Sequence, residues 1–286
     1  MSTSAFCLTA NLTFNDKMVR ARGIEPPRGC PHMNLNHARL PIPPRTRTAE
    51  RNQHPALLAN KFDFLFPKFV AHLLQIMKIL ITAGPTREPL DPVRYLTNRS
   101  SGKMGYALAA AAAKRGHSVL LISGPTHLEL PSGVDFLPIE TARDMHQAVS
   151  SQINRFEIAI LAAAVADYCP ATYSTEKIKK NDAEFSVQFV KTKDILAEAR
   201  SVMNFQGTLV GFAAESQNLE TNAREKCLNK QCDLIIANDI SRSDIGFDSS
   251  ENEVLLVYPD RSEPLPKDTK EHLAFHLIEI IEDLRS

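Results

Sequence analysis

The stretch that decides the fold is Lys78-Ile-Leu-Ile-Thr-Ala-Gly84, an apolar run of β type that stops at a glycine. A long polar loop follows as far as Gly102, and a helix then opens at Lys103 and continues through an alanine run. A strand that ends in glycine and leads to a glycine-containing helix start presents free backbone N–H groups to a phosphate. Loops of this length inside compact domains are usually functional. The stretch therefore predicts a nucleotide-using enzyme.

From Met77 onward, strand-like and helix-like segments alternate, which predicts a mostly parallel sheet. We expect an α/β fold: a Rossmann-like, doubly wound, mostly parallel sheet with helices on both faces. In such folds, ligands bind beyond the carboxyl ends of the strands. The predicted strands are 78–83, 117–122, 134–139, 157–163, 185–190, 208–213, 233–237 and 253–258. The predicted helices are 103–115, 142–154, 195–203, 219–229 and 270–284.

Residues 1–76 differ from the rest in composition. They hold 8 of the 18 prolines and carry 10 Lys or Arg against 4 Asp or Glu. They show no sustained helical or strand period, and only residues 62–76 are apolar enough to form a short helix. Proline removes backbone donors, so such a segment does not pack as regular elements. We expect residues 1–76 to be a disordered or spurious extension, with translation beginning near Met77, and residues 77–286 to form the functional domain.

The overall composition limits the partners. The net charge is zero, and residues 77–286 carry 23 Lys or Arg against 29 Asp or Glu, so nothing favours a nucleic-acid partner. The five cysteines form no C-x-x-C pair, which argues against a disulfide framework or a zinc site and favours a reducing cytoplasm. No apolar run reaches the length needed to cross a bilayer. We expect a cytoplasmic protein without a membrane or nucleic-acid partner.

Five motifs occur in order along the second part of the chain. They are Thr82-Ala-Gly-Pro-Thr-Arg-Glu-Pro-Leu-Asp-Pro-Val-Arg94 with Thr97-Asn-Arg-Ser-Ser-Gly-Lys-Met-Gly105, Ala162-Ala-Ala-Val-Ala-Asp167, Glu176-Lys-Ile-Lys-Lys180, Val210-Gly-Phe-Ala-Ala-Glu215 and Ala237-Asn-Asp239. This set resembles phosphopantothenate–cysteine ligase, the phosphopantothenoylcysteine synthetase of coenzyme A biosynthesis. Five ordered motifs are far more specific than a single glycine-rich loop.

The resemblance implies an activity and its participants. The substrates would be 4′-phosphopantothenate and L-cysteine, joined through an acyl-nucleotide intermediate with Mg²⁺. Bacterial members use CTP and eukaryotic members use ATP. The motif sequences here resemble the bacterial ones, which favours CTP. The family works as a homodimer with its sites near the interface. Many bacterial members carry a flavin-dependent decarboxylase ahead of this domain; residues 1–76 are too short for one, so we expect the decarboxylase to be a separate polypeptide.

Two residues are expected to act in catalysis. The resemblance implies that Asn98 hydrogen-bonds the activated carbonyl and that Lys177 contacts the nucleotide. A lysine run is usually a solvated face, but the ammonium groups of Lys177, Lys179 and Lys180 repel one another unless anions are near. Cations that stabilise charge on a leaving pyrophosphate lower the barrier.

The remaining candidates are expected to bind the nucleotide. A serine just before a helix can be simply a helix cap, which would explain Ser100 or Ser101 but not Asn98. Lys226 and Lys230 share one helix face at i, i+4, and an exposed basic stripe is the alternative. The predicted nucleotide-binding residues are Gly84, Ser100, Ser101, Gly102, Ala163, Asp167, Lys177, Lys193, Asp194, Ile195, Leu196, Phe212, Lys226 and Lys230.

Asp167 is also the predicted metal ligand, because one carboxylate together with phosphate oxygens is the usual way to hold Mg²⁺. The alternative is that this residue only forms a turn after a buried strand. The sequence departs from the family at Thr192-Lys193, where the usual pattern before Asp-Ile is Asn-Pro. That departure puts the expected backbone contacts of Lys193 in doubt.

Two other functions are alternatives for this sequence. Tyr173 and Lys177 have the Tyr-x-x-x-Lys spacing of short-chain NAD(P)-dependent dehydrogenases, but that pair works on a helix, and this stretch is irregular. The first turn also lacks a compact Gly-x-Gly-x-x-Gly. The second alternative is a non-catalytic nucleotide sensor on the same fold. Asn98 and Lys177 argue against a sensor, since binding alone needs no amide placed to stabilise an acyl group.

Overall fold

The computed structural model describes residues 76–180, 185–241 and 251–285, and it confirms the predicted α/β class. The predicted N-terminal extension and its short helix lie outside the described residues, apart from Ile76. The strands are β1 (Lys78–Ala83), β2 (Arg87–Pro89), β3 (Tyr95–Thr97), β4 (Ser118–Ser123), β5 (Val134–Pro138), β6 (Ile158–Leu161), β7 (Tyr168–Pro170), β8 (Phe189–Lys191), β9 (Thr208–Glu215), β10 (Leu234–Asp239), β11 (Glu251–Val257) and β12 (Ser262–Thr269). The helices are α1 (Lys103–Lys114), α2 (Ala142–Gln152), α3 (Ile195–Ser201), α4 (Leu219–Asn229) and α5 (Lys270–Asp283).

Eight strands form one sheet in the order β12-β11-β10-β9-β6-β1-β4-β5. The strands from β10 to β5 run parallel, and β11 and β12 pair antiparallel at one edge. The chain moves from β1 outward to β4 and β5, and then returns to β6 on the other side of β1. Ligands of doubly wound folds bind at this kind of reversal. The topology therefore directs attention to the carboxyl ends of β1 and β6.

Helices cover both faces of the sheet, as predicted. Ile79 and Ile81 of β1 pack in one core cluster with residues of α1 and α5, such as Leu108 and Leu277. Leu80 points the other way, into a second cluster formed with α2, α3 and α4. A parallel strand that is buried on both faces has no polar alternation, which explains the continuous apolar run of β1. Burying each such side chain contributes about 1.5–3 kcal/mol.

The start of α1 depends on glycine. Gly102 is the N-cap residue, in a left-handed conformation (φ 77°). Neither Ser100 nor Ser101 therefore occupies the N-cap position, and the Gly102 N–H donates to Ser100 Oγ at 3.3 Å. A Cβ on Gly105 would lie 2.5 Å from Ala83 Cβ, so α1 can cross the end of β1 only with glycine there.

Several predicted elements need correction. The sequence predicts a strand over residues 185–190, but the strand observed there, β8, covers only Phe189–Lys191. It pairs antiparallel with β7, outside the main sheet. The hairpin of β2 and β3 inside the first loop was not predicted, and neither was β12. The predicted strand 157–163 ends at Leu161. Strands β2, β3, β7 and β8 have three residues each, which is too few to show an apolar period.

Candidate functional site

A cavity of about 470 Å³ lies beyond the carboxyl ends of the central strands, next to the place between β1 and β6 where the strand order reverses. Its walls come from the ends of β1, β6 and β9, from the segment before α3, and from α4. Nine residues that were predicted to bind the nucleotide line it: Ala163, Asp167, Lys193, Asp194, Ile195, Leu196, Phe212, Lys226 and Lys230. The structure thus brings together residues spread over 68 positions of sequence.

The loops after β1 and β6 are joined directly. Pro85 and Ala164 form an isolated parallel bridge, in which the Ala164 N–H donates to Gly84 O at 2.9 Å. The Ala163 N–H donates to Thr82 Oγ1 at 3.1 Å, and the Ala166 N–H donates to Thr86 Oγ1 at 3.0 Å. These bonds satisfy backbone groups that the end of β6 would otherwise leave unpaired. They hold the Ala-rich motif at one edge of the cavity.

Asn98 lies at the same edge although it does not line the cavity. Its Nδ2 donates to Ala164 O at 3.0 Å, so the amide is held against the Ala-rich motif. An amide nitrogen has two N–H donors, and this contact uses one of them. The side chain is exposed, and it can therefore reach a ligand with its second donor.

The glycines of the first loop also lie outside the cavity lining, together with Ser100 and Ser101. Gly84 and Gly102 both have left-handed backbones, with φ values of 71° and 77°. A Cβ on Gly102 would be 3.2 Å from Gly84 Cα and 2.8 Å from Thr126 Cγ2. Glycine at both positions lets the end of the loop approach the end of β1. This approach places the start of α1 beside the loop that carries Asn98.

Lys226 of α4 and Lys230, the residue that follows the last residue of α4, both line the cavity, as their spacing predicted. Lys226 Nζ donates to Phe212 O at 3.0 Å. Burial lowers the pKa of the Lys226 ammonium, and the nearby charge of Lys230 lowers it further. Lys230 Nζ is paired with Asp194 Oδ2 at 2.7 Å. An anion in the cavity would relieve the repulsion between the two lysines.

Asp194 has a structural task that the sequence did not reveal. It is the N-cap of α3, where its Oδ1 accepts the Ala197 N–H at 3.0 Å. Burial acts to raise the pKa of this carboxyl, but the hydrogen bonds from Lys230 and the Ala197 N–H bring it below its ordinary value. Ile195 and Leu196 are buried, so their side chains belong mainly to the core.

The segment before α3 is fixed to the Ala-rich motif. Thr192 Oγ1 donates to Ala166 O at 2.6 Å, and the Thr192 N–H donates to Asp167 O at 2.9 Å. Lys193 is exposed where it lines the cavity. The sequence departs from the family pattern here, yet the backbone stays tied to the cavity edge. The side chain of Lys193 adds a positive charge at a position where proline has none.

Asp167 is exposed at the cavity edge, and its donor set limits how a metal could bind. In the part of the chain that the structure describes, no three His, Cys, Asp or Glu residues are grouped to hold a metal ion. The neighbouring carboxylate of Asp194 is taken up by Lys230 and the cap of α3. These residues fit a Mg²⁺ ion that keeps mainly phosphate and water ligands.

Lys177 lies in a segment with neither helix nor strand and does not line the cavity. The absence of a helix over residues 173–177 removes the basis for the dehydrogenase pair, because Tyr173 and Lys177 are not placed one helical turn apart. Tyr173 faces a second cavity of about 710 Å³, which shares Lys191, Thr192 and Lys193 with the first.

Sequence reasoning missed several lining residues: Thr82, Leu161, Val165, Ala166, Tyr168, Lys191 and Thr192. Thr82 could have been found, because a polar side chain within an otherwise apolar strand end calls for a partner. The others carry no such signal. Tyr168, Lys191 and Thr192 lie in or next to β7 and β8, which pair with each other. Leu161, Val165 and Ala166 lie at the end of β6 or in the loop that follows it.

A sequence profile described as the C-terminal domain of the DNA/pantothenate metabolism flavoprotein matches residues 74–284. The chain belongs to this family. The match includes every described residue that lines the cavity. In residues 76–180, 185–241 and 251–285, no helix is long and apolar enough to span a membrane.

Relatives from the family agree with the assignment. The coenzyme A biosynthesis bifunctional protein CoaBC of Vibrio cholerae is 44% identical over 230 residues, which are 79% of this chain and 56% of that protein. The chain thus spans about half the length of the relatives it matches. The crystal structure of the C-terminal domain of a CoaBC protein is 38% identical, with a TM-score of 0.63, and covers 74% of this chain and 97% of that domain. A Cab2 mutant in complex with phosphopantothenate-cysteine is 16% identical, with a TM-score of 0.61 over 82% of this chain and 96% of that one, and it shows the fold alone.

Proposed function

We propose that this chain joins 4′-phosphopantothenate to L-cysteine in coenzyme A biosynthesis, through an acyl-nucleotide intermediate. The observation that carries the proposal is the single cavity that gathers nine predicted nucleotide-binding residues beside Asn98. The family membership and the printed name of the CoaBC relatives support the pathway.

The first half-reaction activates a carboxylate. A carboxylate is a poor electrophile, so its oxygen attacks the α-phosphate of the nucleoside triphosphate, and the bond to pyrophosphate breaks. Lys226, Lys230 and Lys193 surround the cavity with positive charge, which offsets the charge on the departing pyrophosphate. Lys177 is assigned to the same task from the neighbouring loop.

The second half-reaction forms the amide. The cysteine amine attacks the acyl carbon, the nucleoside monophosphate leaves, and the amine releases a proton. Negative charge develops on the acyl oxygen during the attack. The second N–H of Asn98 Nδ2 is the donor assigned to that oxygen, because the first already holds the side chain against Ala164 O.

Magnesium belongs to the same proposal. Asp167 would hold the ion together with phosphate oxygens, in keeping with the single available carboxylate at the cavity edge. When bound, the ion neutralises phosphate charge.

The nucleotide is proposed to be CTP, with ATP as the alternative, because the motif sequences resemble those of bacterial members. The test is to incubate the protein with 4′-phosphopantothenate, L-cysteine and either CTP or ATP. Pyrophosphate release is then measured, and the products are identified by mass spectrometry. We expect phosphopantothenoylcysteine and CMP. The absence of both pyrophosphate and amide with either nucleotide would contradict the ligase; pyrophosphate release without any amide would favour a different acceptor.

Asn98→Asp separates the half-reactions. We expect pyrophosphate release to remain detectable while amide formation slows by about 10²-fold, since a carboxylate cannot donate to the acyl oxygen. Equal loss of both half-reactions would contradict the role of Asn98. A non-catalytic sensor would give neither product in the unmodified protein.

A homodimer is proposed from the surface beside the site. The hairpins of β2–β3 and β7–β8 lie next to each other and expose Tyr95, Tyr168 and Val190. Tyr173 and Phe185 are 52% and 65% exposed nearby. Exposed apolar side chains grouped around a site mark an interface, and a second copy is the occupant that the family implies. Light scattering with size-exclusion chromatography should give twice the mass of one chain; a monomer at micromolar concentration would contradict it.

The described residues form one main α/β sheet with its helices. A separate decarboxylase stays an expectation from the resemblance, and an assay for decarboxylation of the product by this protein alone tests it. A cytoplasmic location is proposed because the described cysteines, Cys169, Cys227 and Cys232, are unpaired, as is usual in a reducing compartment.

A further inference from the structure

The segment that carries Lys177 needs an anchor. Residues 176–180 form neither helix nor strand, and the side chains of Lys177, Lys179 and Lys180 are exposed. Three like charges so close together repel one another and favour many loop conformations. A lysine that stabilises a leaving group must be held near it, because misplacement by about 1 Å can cost 10²-fold in rate. Something on the protein must therefore fix the backbone of this segment.

Asp91 makes that contact. Its side chain is fully buried, and its Oδ2 accepts the N–H of Ile178 at 3.2 Å. The same oxygen is 2.6 Å from Arg94 Nη1, which in turn donates to Ile178 O at 3.2 Å. One ion pair thus holds both backbone polar groups of the residue between Lys177 and Lys179. The contact joins positions 87 residues apart in the sequence.

The other oxygen of Asp91 fixes the loop after β1. Oδ1 accepts the N–H groups of Val93 and Arg94, each at 2.8 Å. Burial acts to raise the pKa of Asp91, but the N–H donors of Val93, Ile178 and Arg94, with the charge of Arg94, bring it below its ordinary value. The ionised carboxylate can accept all of these donors, whereas an amide in its place would turn one acceptor into a donor.

We propose that Asp91 is a positioning residue, which fixes the lysine segment against the loop that carries Asn98. Asp91 has no exposed surface with which to contact a substrate. Its effect on the reaction is exerted through Ile178, and thereby through Lys177. This effect rests on the proposed function, but the positioning itself does not require any activity.

The first test needs no substrate. Trypsin cleaves after lysine, and the rate of cleavage at residues 177–180 reports how freely the segment moves. Asp91→Asn should be cleaved there about tenfold faster than the unmodified protein, on the scale of losing a charge-assisted hydrogen bond. Asp233→Asn is the matched control, because Asp233 also pairs with an arginine (Arg200) and accepts a backbone N–H (Leu209), but it does so at the amino ends of β9 and β10, and it should leave that rate unchanged. Equal cleavage of Asp91→Asn and the unmodified protein would overturn the proposal.

A second measurement covers the case in which Asp91→Asn does not fold. In the unmodified protein, hydrogen exchange followed by mass spectrometry should show one protected amide within residues 176–180, that of Ile178. No protected amide in this exposed segment would overturn the proposal.

The activity assay then separates positioning from general damage. Asp91→Asn should lower kcat by about 10²-fold, with a much smaller change in KM for the nucleotide, because the cavity lining is untouched. Asp91→Glu, which keeps the charge, should recover part of the rate. A normal kcat for Asp91→Asn would overturn the positioning role. If the unmodified protein releases no pyrophosphate, the proposed ligase fails, and the cleavage and exchange results still decide the role of Asp91.

Discussion

Charged side chains at the two ends of the central sheet differ in how fully they are paired within the protein. At the amino end, Glu282 is 5% exposed and accepts from Arg115 at 2.6 and 2.7 Å and from His117 at 2.6 Å. His117 Nδ1 also accepts the N–H of Met77 at 3.3 Å. Buried charges there are satisfied within the protein, and they tie α5 to the start of β1.

At the carboxyl end, the cavity is lined by four lysines and two aspartates. The positive charge of Lys230 contributes to the lowered pKa of Lys226. Lys230 forms an ion pair with Asp194, whereas Lys226 donates to the carbonyl oxygen of Phe212. Unbalanced positive charge of this kind costs stability unless an anion binds. The comparison shows buried charges that are paired within the protein at one end of the sheet and an excess of lysines around a cavity at the other, which is the end where we propose that the nucleotide binds.

The largest effect is expected when charge is removed at the carboxyl end. Lys177→Gln should lower the rate of ligation by about 10²–10³-fold, because a donor to developing charge is lost, with no change in Tm. Steady-state kinetics and thermal unfolding measure the two effects. Lys78→Gln, at an exposed lysine at the start of β1, is the matched control and should retain normal activity. Loss of folded protein in Lys177→Gln would favour a structural role.

Removing a charge at the amino end should instead lower stability and leave activity unchanged. Glu282→Gln should lower the free energy of unfolding by about 3 kcal/mol, because Arg115 loses its buried partner. For a domain of this size, that loss corresponds to a Tm lower by roughly 6–12 °C. The kcat should stay normal. Glu279→Gln is the control: Glu279 bonds the same arginine but is 46% exposed, and its loss should cost less than about 1 kcal/mol. Equal destabilisation by both variants would remove the distinction.

The same carboxylate makes stability depend on pH. Burial acts to raise the pKa of Glu282, but hydrogen bonds from Arg115 and His117 bring it below its ordinary value of 4.5. The stabilisation is therefore complete above 4.5 and is lost as the pH falls through the lowered value. Urea unfolding from about pH 6 to pH 3.5 should show a steeper loss in the unmodified protein than in Glu282→Gln. Parallel curves would contradict the assignment.

The smallest effect is expected from the two lysines of α4. Lys226→Met should weaken nucleotide binding by about tenfold, yet leave the free energy of unfolding unchanged or raise it by less than about 1 kcal/mol. The reason is that burial and Lys230 disfavour the charged form of Lys226 in the folded protein. Lys230→Met should instead lower stability slightly, since it leaves Asp194 without its ion pair. Calorimetric titration measures the nucleotide affinity, and thermal unfolding measures the stability. A lower stability of Lys226→Met would contradict this prediction.

Much of the fold could be predicted because its core elements obey local rules. The bounds of β1 and α4 agree with the sequence prediction residue for residue. Strand β12 was missed because Pro264 and Pro266 weaken a strand pattern, and proline is tolerated in a strand mainly at a sheet edge, which is where β12 lies. Strands β2 and β7 have three residues each, too few to show a period.

The sequence by itself determined the α/β class and the family, and it predicted the loops that hold the candidate site residues. Apolar runs set the strands, and ordered motifs follow several of their carboxyl ends. Only the tertiary structure decided which of those residues share a cavity and which lie outside its lining. It also revealed that Asp194 caps α3 and that Asp91 holds the backbone of Ile178. Such contacts join positions far apart in the chain, and a buried carboxylate acquires its partners only when the sheet brings those segments together.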